Sequence, residues 1–290
     1  MKKIFSTILV MAGMMTLSSA LSSCSGHDDE PQATAELTLD AYKFDYANRT
    51  RTVADGGVFT WQTTDKAYVY TNGWGKKLGE LSPIAEQVGS MKTKLDGTVS
   101  SAGVSVGDQL VLISPRDEWS YIGQDGTLSS LSTKYDYATS SALVLYIDGE
   151  NNNKIYASNA IFNSEQSLVK FVILDNNGSP LNVPSLTIIA ASNKLVQKCS
   201  LDGTASAYGN LVITPASPTN VFYVAMRNDK AGADSYTLTV STNTTVYSYS
   251  KSDYTFAKGD YKTINVKMKD LNDTYTERIG YNDLGEETWE

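Results

Sequence analysis

The sequence predicts an all-β protein made of two tandem β-sandwich domains with about seven strands each. The main observation is that short runs of alternating apolar and polar residues recur along almost the whole chain. These runs are rich in Thr, Ser, Val and Tyr, the chain containing 18 tyrosines. Few segments show the periodicity of a long helix. Each half therefore holds about as many strands as a β-sandwich domain contains.

The Asn-rich stretch 151–153 is the best break between the two halves. We predict an N-terminal β-sandwich domain at 36–157 and a C-terminal β-sandwich domain at 158–270. The remaining residues, 271–290, are predicted to form a C-terminal tail or an extra strand. Removing residues 1–23 as a signal peptide leaves 267 of the 290 residues, which is enough for two domains of ordinary size.

The first predicted strand combines two alternating parts. We expect its apolar residues to be buried on the inner face of the N-terminal domain: Leu37, Leu39, Tyr42, Phe44 and Tyr46. The parity of the apolar positions changes after Leu39, which predicts a register change near Asp40 and Ala41.

The remaining strands follow from the same patterns. The nearly continuous apolar runs 110–113 and 143–147 predict central strands that are buried on both faces. The other predicted strands, in chain order, are 58–61, 67–70, 168–174, 186–191, 195–199, 211–213, 221–226, 236–240, 245–249 and 261–268.

Turn signals separate these strands. Asp-Gly pairs at 96–97, 125–126 and 202–203 predict tight hairpin turns, because this dipeptide readily adopts positive φ values. The loops 148–153 and 175–178 are rich in oxygen ligands for calcium. Neither has the spacing of an EF-hand loop, so we predict ordinary turns and no metal.

The start of the chain predicts where the protein is located. Positive residues at Lys2 and Lys3 precede an apolar run over 4–21, and the sequence Leu-Ser-Ser-Cys then ends at Cys24. This is the pattern of a secretory signal peptide over 1–23, and its ending matches the lipobox of bacterial lipoproteins. Cys24 is therefore the predicted lipidation site, where acyl chains such as palmitate would anchor the protein in the outer membrane.

The segment after the lipidation site, 24–35, is short, polar and acidic, so we predict a flexible leash. It resembles the acidic stretch that directs lipoproteins to the cell surface in Bacteroidetes-type outer membranes. The alternative is a spacer whose acidity has no role.

The composition argues against several function classes. The only histidine, His27, lies in the leash, so a Ser-His-Asp or Cys-His mechanism has no positioned base. Cys199 is predicted to be a small buried strand residue. Glutamates are sparse and unpaired between 36 and 270. We therefore predict a non-enzyme without cofactors. Loss of Lys2 and Lys3 leaves 22 basic against 32 acidic residues, which makes nucleic acid an improbable partner.

Several segments, in order along the chain, resemble the fimbrillins, or type V pilins, of Bacteroidales. They are the basic stretch 49–52 before Phe59-Thr60-Trp61, and the strand patterns at 167–175, 222–227 and 258–268. The resemblance implies two transthyretin-like β-sandwich domains and assembly into a surface fimbria with other pilin subunits.

In that family, an arginine-specific protease removes the lipidated segment and the first strand, and the C-terminal strand of another subunit fills the groove. Arg49 and Arg51 occupy the position that the resemblance implies for cleavage, although two solvated arginines in a loop are an open alternative. The tail 271–290 ends in an acidic sequence that we expect to insert poorly, so shaft, anchor and accessory roles stay open.

The main alternative is a surface β-sandwich lipoprotein that binds glycans. Its stacking platforms would come from four tryptophans, Trp61, Trp74, Trp119 and Trp289. Trp74 is the best candidate because flanking glycines indicate a loop, whereas Trp61 is expected in the core. An exposed Trp74–Trp119 pair in one cleft would favour binding of a host or bacterial surface sugar, and a detachable first strand would favour a pilin.

Overall fold

The computed structural model of the protein describes residues 33–43, 60–148, 154–242, 245–270, 279–281 and 287–289. Nearly all regular structure in these ranges is β-strand, which confirms the all-β fold class. Among the described residues, no helix is long and apolar enough to cross a membrane. The predicted signal peptide and Cys24 lie outside the described residues.

The first eight strands form one sheet. They are β1 Thr34–Lys43, β2 Ala67–Thr71, β3 Lys77–Pro83, β4 Lys92–Ser100, β5 Gln109–Ser114, β6 Ala138–Ile147, β7 Lys154–Ala157 and β8 Ala160–Ser164. Their order is β4-β3-β2-β5-β6-β7-β1-β8, and β1 also pairs with β4 while β6 also pairs with β8. The sheet therefore closes on itself, which differs from the two separate sheets expected of a sandwich.

The second half contains twelve described strands. They are β9 Ser167–Leu174, β10 Leu186–Ala190, β11 Val196–Cys199, β12 Ala205–Tyr208, β13 Leu211–Ile213, β14 Val221–Met226, β15 Asp234–Ser241, β16 Val246–Tyr254, β17 Tyr261–Lys267, β18 Lys269–Asp270, β19 Ile279–Tyr281 and β20 Glu287–Trp289. Two five-stranded sheets, β13-β10-β15-β16-β18 and β14-β9-β17-β20-β19, contribute alternate residues to a shared hydrophobic cluster, and β11 and β12 form a separate hairpin. This arrangement agrees with the sandwich expected for this half. Its transthyretin-like character stays a prediction.

Two hydrophobic clusters hold these layers together. One is formed inside the closed sheet by residues between Ala35 and Phe162. The other lies in the second half, and it also takes in side chains from the connection between β5 and β6, among them Trp119, Tyr121 and Tyr137. The first predicted domain therefore contributes core residues to the second half.

Gln124 shows how this connection is held. The side chain is 3% exposed, and its amide group forms two hydrogen bonds with the backbone of Ala225, as a residue of a neighbouring β-strand would. The Nε2 atom donates to the carbonyls of Ala225 and Tyr121 at 2.8 and 2.9 Å, and the Oε1 atom accepts from the Ala225 amide at 2.8 Å. A buried amide with all these partners stabilises the docking of the connection. The predicted boundary at 157/158 stays a prediction, but β8 pairs with β1 and β6 beyond it.

Three sequence predictions are corrected by the structure. β1 keeps one register, since Ala35, Leu37, Leu39 and Ala41 all face the core, and it begins inside the predicted leash. The run 143–147 is not buried on both faces, because β6 has one face in solvent.

The third correction concerns the Asp96-Gly97 pair, which lies inside β4 instead of in a turn. A Cβ on Gly97 would approach the Glu80 carbonyl oxygen to 2.4 Å, so a close strand contact explains this glycine. Gly203, with φ +78°, does turn between β11 and β12 as predicted, whereas Gly126 turns into the short helix Leu128–Ser130.

Asp234 is a buried carboxylate with several donors. It accepts hydrogen bonds from the Ser192 hydroxyl, from Asn228 Nδ2 at 2.8 Å and from the Ser235 amide at 2.9 Å. Burial alone would raise the pKa of Asp234, but the hydrogen bonds from Ser192 and Asn228 outweigh it and lower the pKa to about 2. The carboxylate therefore stabilises the fold at neutral pH.

We expect Asp234→Asn to lower the free energy of unfolding by about 2 kcal/mol at pH 7. The folded pKa is depressed, so this contribution is present above the unfolded value near 4 and is lost as the pH falls towards 2. Urea unfolding of both proteins at pH 7 and near pH 2.5 measures the difference, which should shrink at the lower pH. The control is Asp253→Asn at an exposed position with φ +50°, which Asn tolerates. A gap that is the same at both pH values would contradict this role.

Candidate functional site

β1 lies between two neighbours that are distant in the sequence. On one side it pairs antiparallel with β4, from Thr34 opposite Ser100 to Tyr42 opposite Lys92. On its other side it pairs in parallel with β7 over 36–38 and with β8 over 41–43. β1 therefore closes the sheet, and its position would become a groove if the strand were removed.

The side chains of β1 fit this position by alternation. The inward-facing residues are at most 3% exposed and belong to the cluster inside the closed sheet: Ala35, Leu37, Leu39 and Ala41. Tyr42, which we expected in the core, faces outward because the strand keeps one register, and its ring lies 5.2 Å from Lys92 Nζ. Phe44, Tyr46, Arg49 and Arg51 lie outside the described residues.

Lys43 fixes the end of β1 to the sheet, and sequence analysis did not identify it. Its Nζ atom lies 2.6 Å from Asp65 Oδ2, and the two side chains are only 10% and 2% exposed. The same ammonium lies 4.7 Å from the ring centroid of Trp61, which is fully buried. Asp65 Oδ2 also accepts from the Gln62 amide at 3.0 Å. Without β1, the Asp65 carboxylate and the Trp61 indole would lose their contact with the Lys43 ammonium.

An apolar patch lies on the outer face next to β1. Its members are between 44% and 60% exposed: Leu143, Leu145, Tyr146, Tyr156 and Ile161. Tyr146 and Tyr156 pair across strands with ring centroids 5.7 Å apart, and Tyr156 in turn is opposite Thr38 of β1. We call these five residues the β6–β8 patch. Contiguous exposed apolar surface is typical of a region that contacts another molecule.

A second feature is a cleft of about 470 Å³ that contains two of the four tryptophans. It is lined by Trp74, Trp119, Thr139, Glu165, Asp202, Gly203, Thr204, Ala205, Tyr208, Arg227, Asp229 and Lys258. We call it the Trp74–Trp119 cleft. The sequence analysis named an exposed Trp74–Trp119 pair in one cleft as a sign of sugar binding. The structure places both residues at this cleft, but Trp119 is only 3% exposed, so the expectation is met for the shared cleft and not for the exposure of Trp119.

Trp119 is fixed inside the cleft by its neighbours. Its ring stacks on Tyr137 at 5.4 Å, and its Nε1 atom donates to the Tyr121 hydroxyl at 3.1 Å. Gly203 covers the ring so closely that a Cβ there would lie 3.0 Å from two ring atoms. The glycine is therefore needed both for its positive φ and for this contact.

Four of the five charged side chains in the cleft form two ion pairs. Arg227 Nε lies 2.7 Å from Asp229 Oδ1, and its Nη1 atom donates to the Gly203 carbonyl at 2.8 Å. Burial tends to lower the pKa of Arg227, but the contact with Asp229 outweighs it and raises the pKa above its ordinary value. Lys258 Nζ lies 2.5 Å from Glu165 Oε2.

Other candidate residues have structural roles. Trp289, considered as a stacking platform, is fully buried among Phe171, Tyr249 and Tyr254. Residues 287–289 of the tail form β20, which pairs with β17 in the same chain, whereas poor insertion of the tail into another subunit stays a prediction. Cys199 ends β11 half-buried, and burial raises the pKa of its thiol to about 11, so it stays protonated at neutral pH. Among the described residues, no group of three or more metal-binding side chains is found.

No protein-family model and no curated protein matches the chain. Solved structures are similar at low identity. A "putative cell adhesion protein" from Bacteroides ovatus is 12% identical with a TM-score of 0.45, over 82% of this chain and 96% of that chain. A fimbrial assembly protein from Parabacteroides distasonis is 13% identical with a TM-score of 0.41, over 89% and 99%. A fimbrial protein from Bacteroides ovatus is 10% identical with a TM-score of 0.39, over 89% of this chain and 54% of that chain.

These solved structures are described as cell adhesion or fimbrial proteins, the class that the sequence resemblance names. Identities of 10–13% and TM-scores below 0.5 assign no function to this chain. The function is therefore argued from its own residues.

We expect Lys43→Ala to loosen β1. The change leaves the buried Asp65 without its cation, which costs about 3–5 kcal/mol in comparable pairs. Hydrogen–deuterium exchange of the β1 and β4 amides should become faster. Adding Asp65→Asn should restore part of the protection, because the Asn oxygen still accepts from the Gln62 amide.

The matched control for this experiment is Lys94→Ala. Lys94 Nζ forms an exposed pair with Asp40 of β1 at 3.1 Å, and such pairs contribute at most about 1 kcal/mol. Equal effects of the two lysine variants on β1 exchange would contradict the special role of Lys43.

Proposed function

We propose that the chain is a structural or accessory subunit of a cell-surface fimbria that is secreted as a lipoprotein, assembles by β-strand exchange and supports adhesion. The observation that carries the proposal is the position of β1, which alone closes the sheet between β4 and the β7–β8 pair. Removing this one strand would open the sheet without breaking any other strand pairing.

The groove left by β1 would lack both backbone hydrogen-bond partners and apolar side chains. The facing edges of β4, β7 and β8 would lose their backbone partners, and the cluster around Trp61 and Phe162 would lose four apolar side chains. A strand added from another subunit supplies both the hydrogen bonds and the alternate apolar side chains. The proposed exchange therefore replaces the hydrogen bonds and apolar side chains of β1 with equivalent ones from another subunit.

The location of the arginines suits this proposal. Arg49 and Arg51 follow β1, which ends at Lys43, and precede the buried Trp61. Cleavage after either residue would separate β1 from the rest of the chain without cutting another described strand. The role of these arginines in processing is part of the proposal.

The β6–β8 patch supports contact with other subunits. Covering it would remove exposed Leu, Ile and Tyr side chains from water, at about 25 cal/mol per Å² of apolar surface. The patch adjoins β1 through Tyr156 and Ile161, so a partner that enters the groove would also be placed beside the patch.

The proposed location is the outer membrane, with the protein exposed on the surface through a lipid on Cys24. The partners are other pilin subunits, in a homopolymer or heteropolymer, and a host or bacterial surface ligand. The role is non-catalytic, in keeping with a Cys199 thiol that is protonated at neutral pH.

We expect trimming at the arginines to start oligomerisation. Digestion of the folded chain with an arginine-specific protease, followed by dissociation of β1, should give species larger than a monomer in size-exclusion chromatography with light scattering. A synthetic peptide of residues 33–46 should suppress this assembly because it refills the groove. The same peptide with Leu37→Asp and Leu39→Asp should not, since both side chains are buried in β1.

The control protein for trimming is the double variant Arg49→Lys and Arg51→Lys, which keeps the charge and removes both cleavage positions between β1 and Trp61, while Arg116, Arg227 and Arg278 are the same in both proteins. Strand exchange would be refuted by a trimmed protein that has lost β1, stays monomeric and melts like the intact chain.

We expect Cys24→Ala to abolish acylation and membrane anchoring. The described fold begins at β1, so its stability should be unchanged. Detergent partitioning and thermal unfolding of the variant and the original chain measure the two effects. A Cys24→Ala protein that still fractionates entirely with membranes would show that the lipobox interpretation is wrong.

A further inference from the structure

We propose that the Trp74–Trp119 cleft binds a neutral saccharide, a binding role that goes beyond subunit assembly. Its volume of about 470 Å³ lies within the range of small-molecule sites. The cleft combines aromatic rings with polar groups, and the C–H faces of a sugar ring are apolar while its rim carries hydroxyls. Stacking on an indole and hydrogen bonding to side chains can therefore occur together.

The backbone at Trp74 is strained, although its side chain also packs against the hydrophobic cluster of the second half. Its φ is +60°, which is an outlier for a bulky residue, and it follows Gly73 at φ +69°. Strained conformations of this kind concentrate at ligand-binding positions.

The loop that carries Trp74 is closed by two hydrogen bonds between the same residues. The Thr71 amide donates to the Lys76 carbonyl at 3.0 Å, and the Thr71 hydroxyl accepts from the Lys76 amide at 2.9 Å. Trp74 also contacts Tyr70, with ring centroids 5.8 Å apart. The indole is therefore placed before any ligand arrives, which reduces the entropy lost on binding.

The charges of the cleft select against an ionic ligand. Arg227 and Lys258 are each paired with a carboxylate, and the third acidic residue, Asp202, leaves the lining with one net negative charge. An anionic ligand would meet no uncompensated cation among the lining residues, although Lys194 Nζ lies 4.5 Å from the ring centroid of Tyr208. A nucleic acid or a sulfated glycan is excluded on the same ground.

The paired groups can still bind hydroxyls. A carboxylate has about four lone-pair positions and an ammonium has three donors, so ion pairing does not exhaust Asp229 or Lys258. The Tyr208 hydroxyl lies 3.3 Å from Asp229 Oδ2 and is fixed there. Charge-assisted hydrogen bonds from such groups to hydroxyls are stronger than those between neutral groups.

The experiment uses the folded chain on an array of neutral hexose, N-acetylhexosamine and fucose oligosaccharides, with sialylated and sulfated oligosaccharides as the anionic set. The strongest neutral binder is then measured by calorimetry against three variants. Trp74→Asn, which tolerates the left-handed backbone, and Asp229→Asn should each weaken binding at least tenfold. Val106→Ala, at an exposed position outside both the cleft and the β6–β8 patch, should leave the affinity within twofold.

A second measurement locates the site in the unaltered chain. Hydroxyl-radical footprinting should show slower oxidation of Trp74 when the same saccharide is present, whether or not the variants fold. The proposal is overturned by an absence of neutral binders, by binding of anionic glycans alone, by equal affinity of the Trp74→Asn protein, or by unprotected Trp74. Strand exchange at β1 is measured separately, so either proposal can fail alone.

Discussion

Closure of the first sheet by β1 is the constraint on which the rest of this half depends. A β-sheet with free edges exposes backbone donors and acceptors, and closure removes both edges at once. Here, closure uses a strand from the start of the described chain, paired with β4 on one side and with β7 and β8 on the other. Alternation along β1 then delivers four small or medium apolar side chains to the core. Among the strands that the structure describes, no other is bordered by such distant parts of the sequence.

Most strands of the second half were predictable because their alternation is strong and local. Residues 168–174, 221–226 and 236–240 are strands in both the prediction and the structure. β3 and β4 were missed because Gly79, Pro83 and the Asp96-Gly97 pair imitate turn signals. In β4, Gly97 is required because the neighbouring strand β3 approaches its backbone closely. This contact is between distant residues, so the local sequence pattern does not predict it.

In the candidate sites too, features that depend on adjacent residues were predicted, whereas contacts between residues distant in the sequence were not. A tryptophan between glycines predicted an accessible loop, and Trp74 does lie in a turn at the cleft. The Lys43–Asp65 pair was missed, because its members look like ordinary surface residues in the sequence and become buried only when β1 docks. Likewise, one face of 143–147 is exposed because the hydrophobic cluster lies only on the inner side of the closed sheet. An apolar run alone does not specify that side.

The division of the core residues along the chain has a consequence for the order in which the two clusters can form as the chain is synthesised. The cluster inside the first sheet needs nothing beyond Phe162, so it is complete in sequence before β9 appears. Trp119 and Tyr137 belong to the other cluster, which also includes Trp289. Until the later strands are available, Trp119 and Tyr137 have each other as stacking partners but lack the rest of their cluster. The later strands pack against the side chains that the first half contributes to this second cluster.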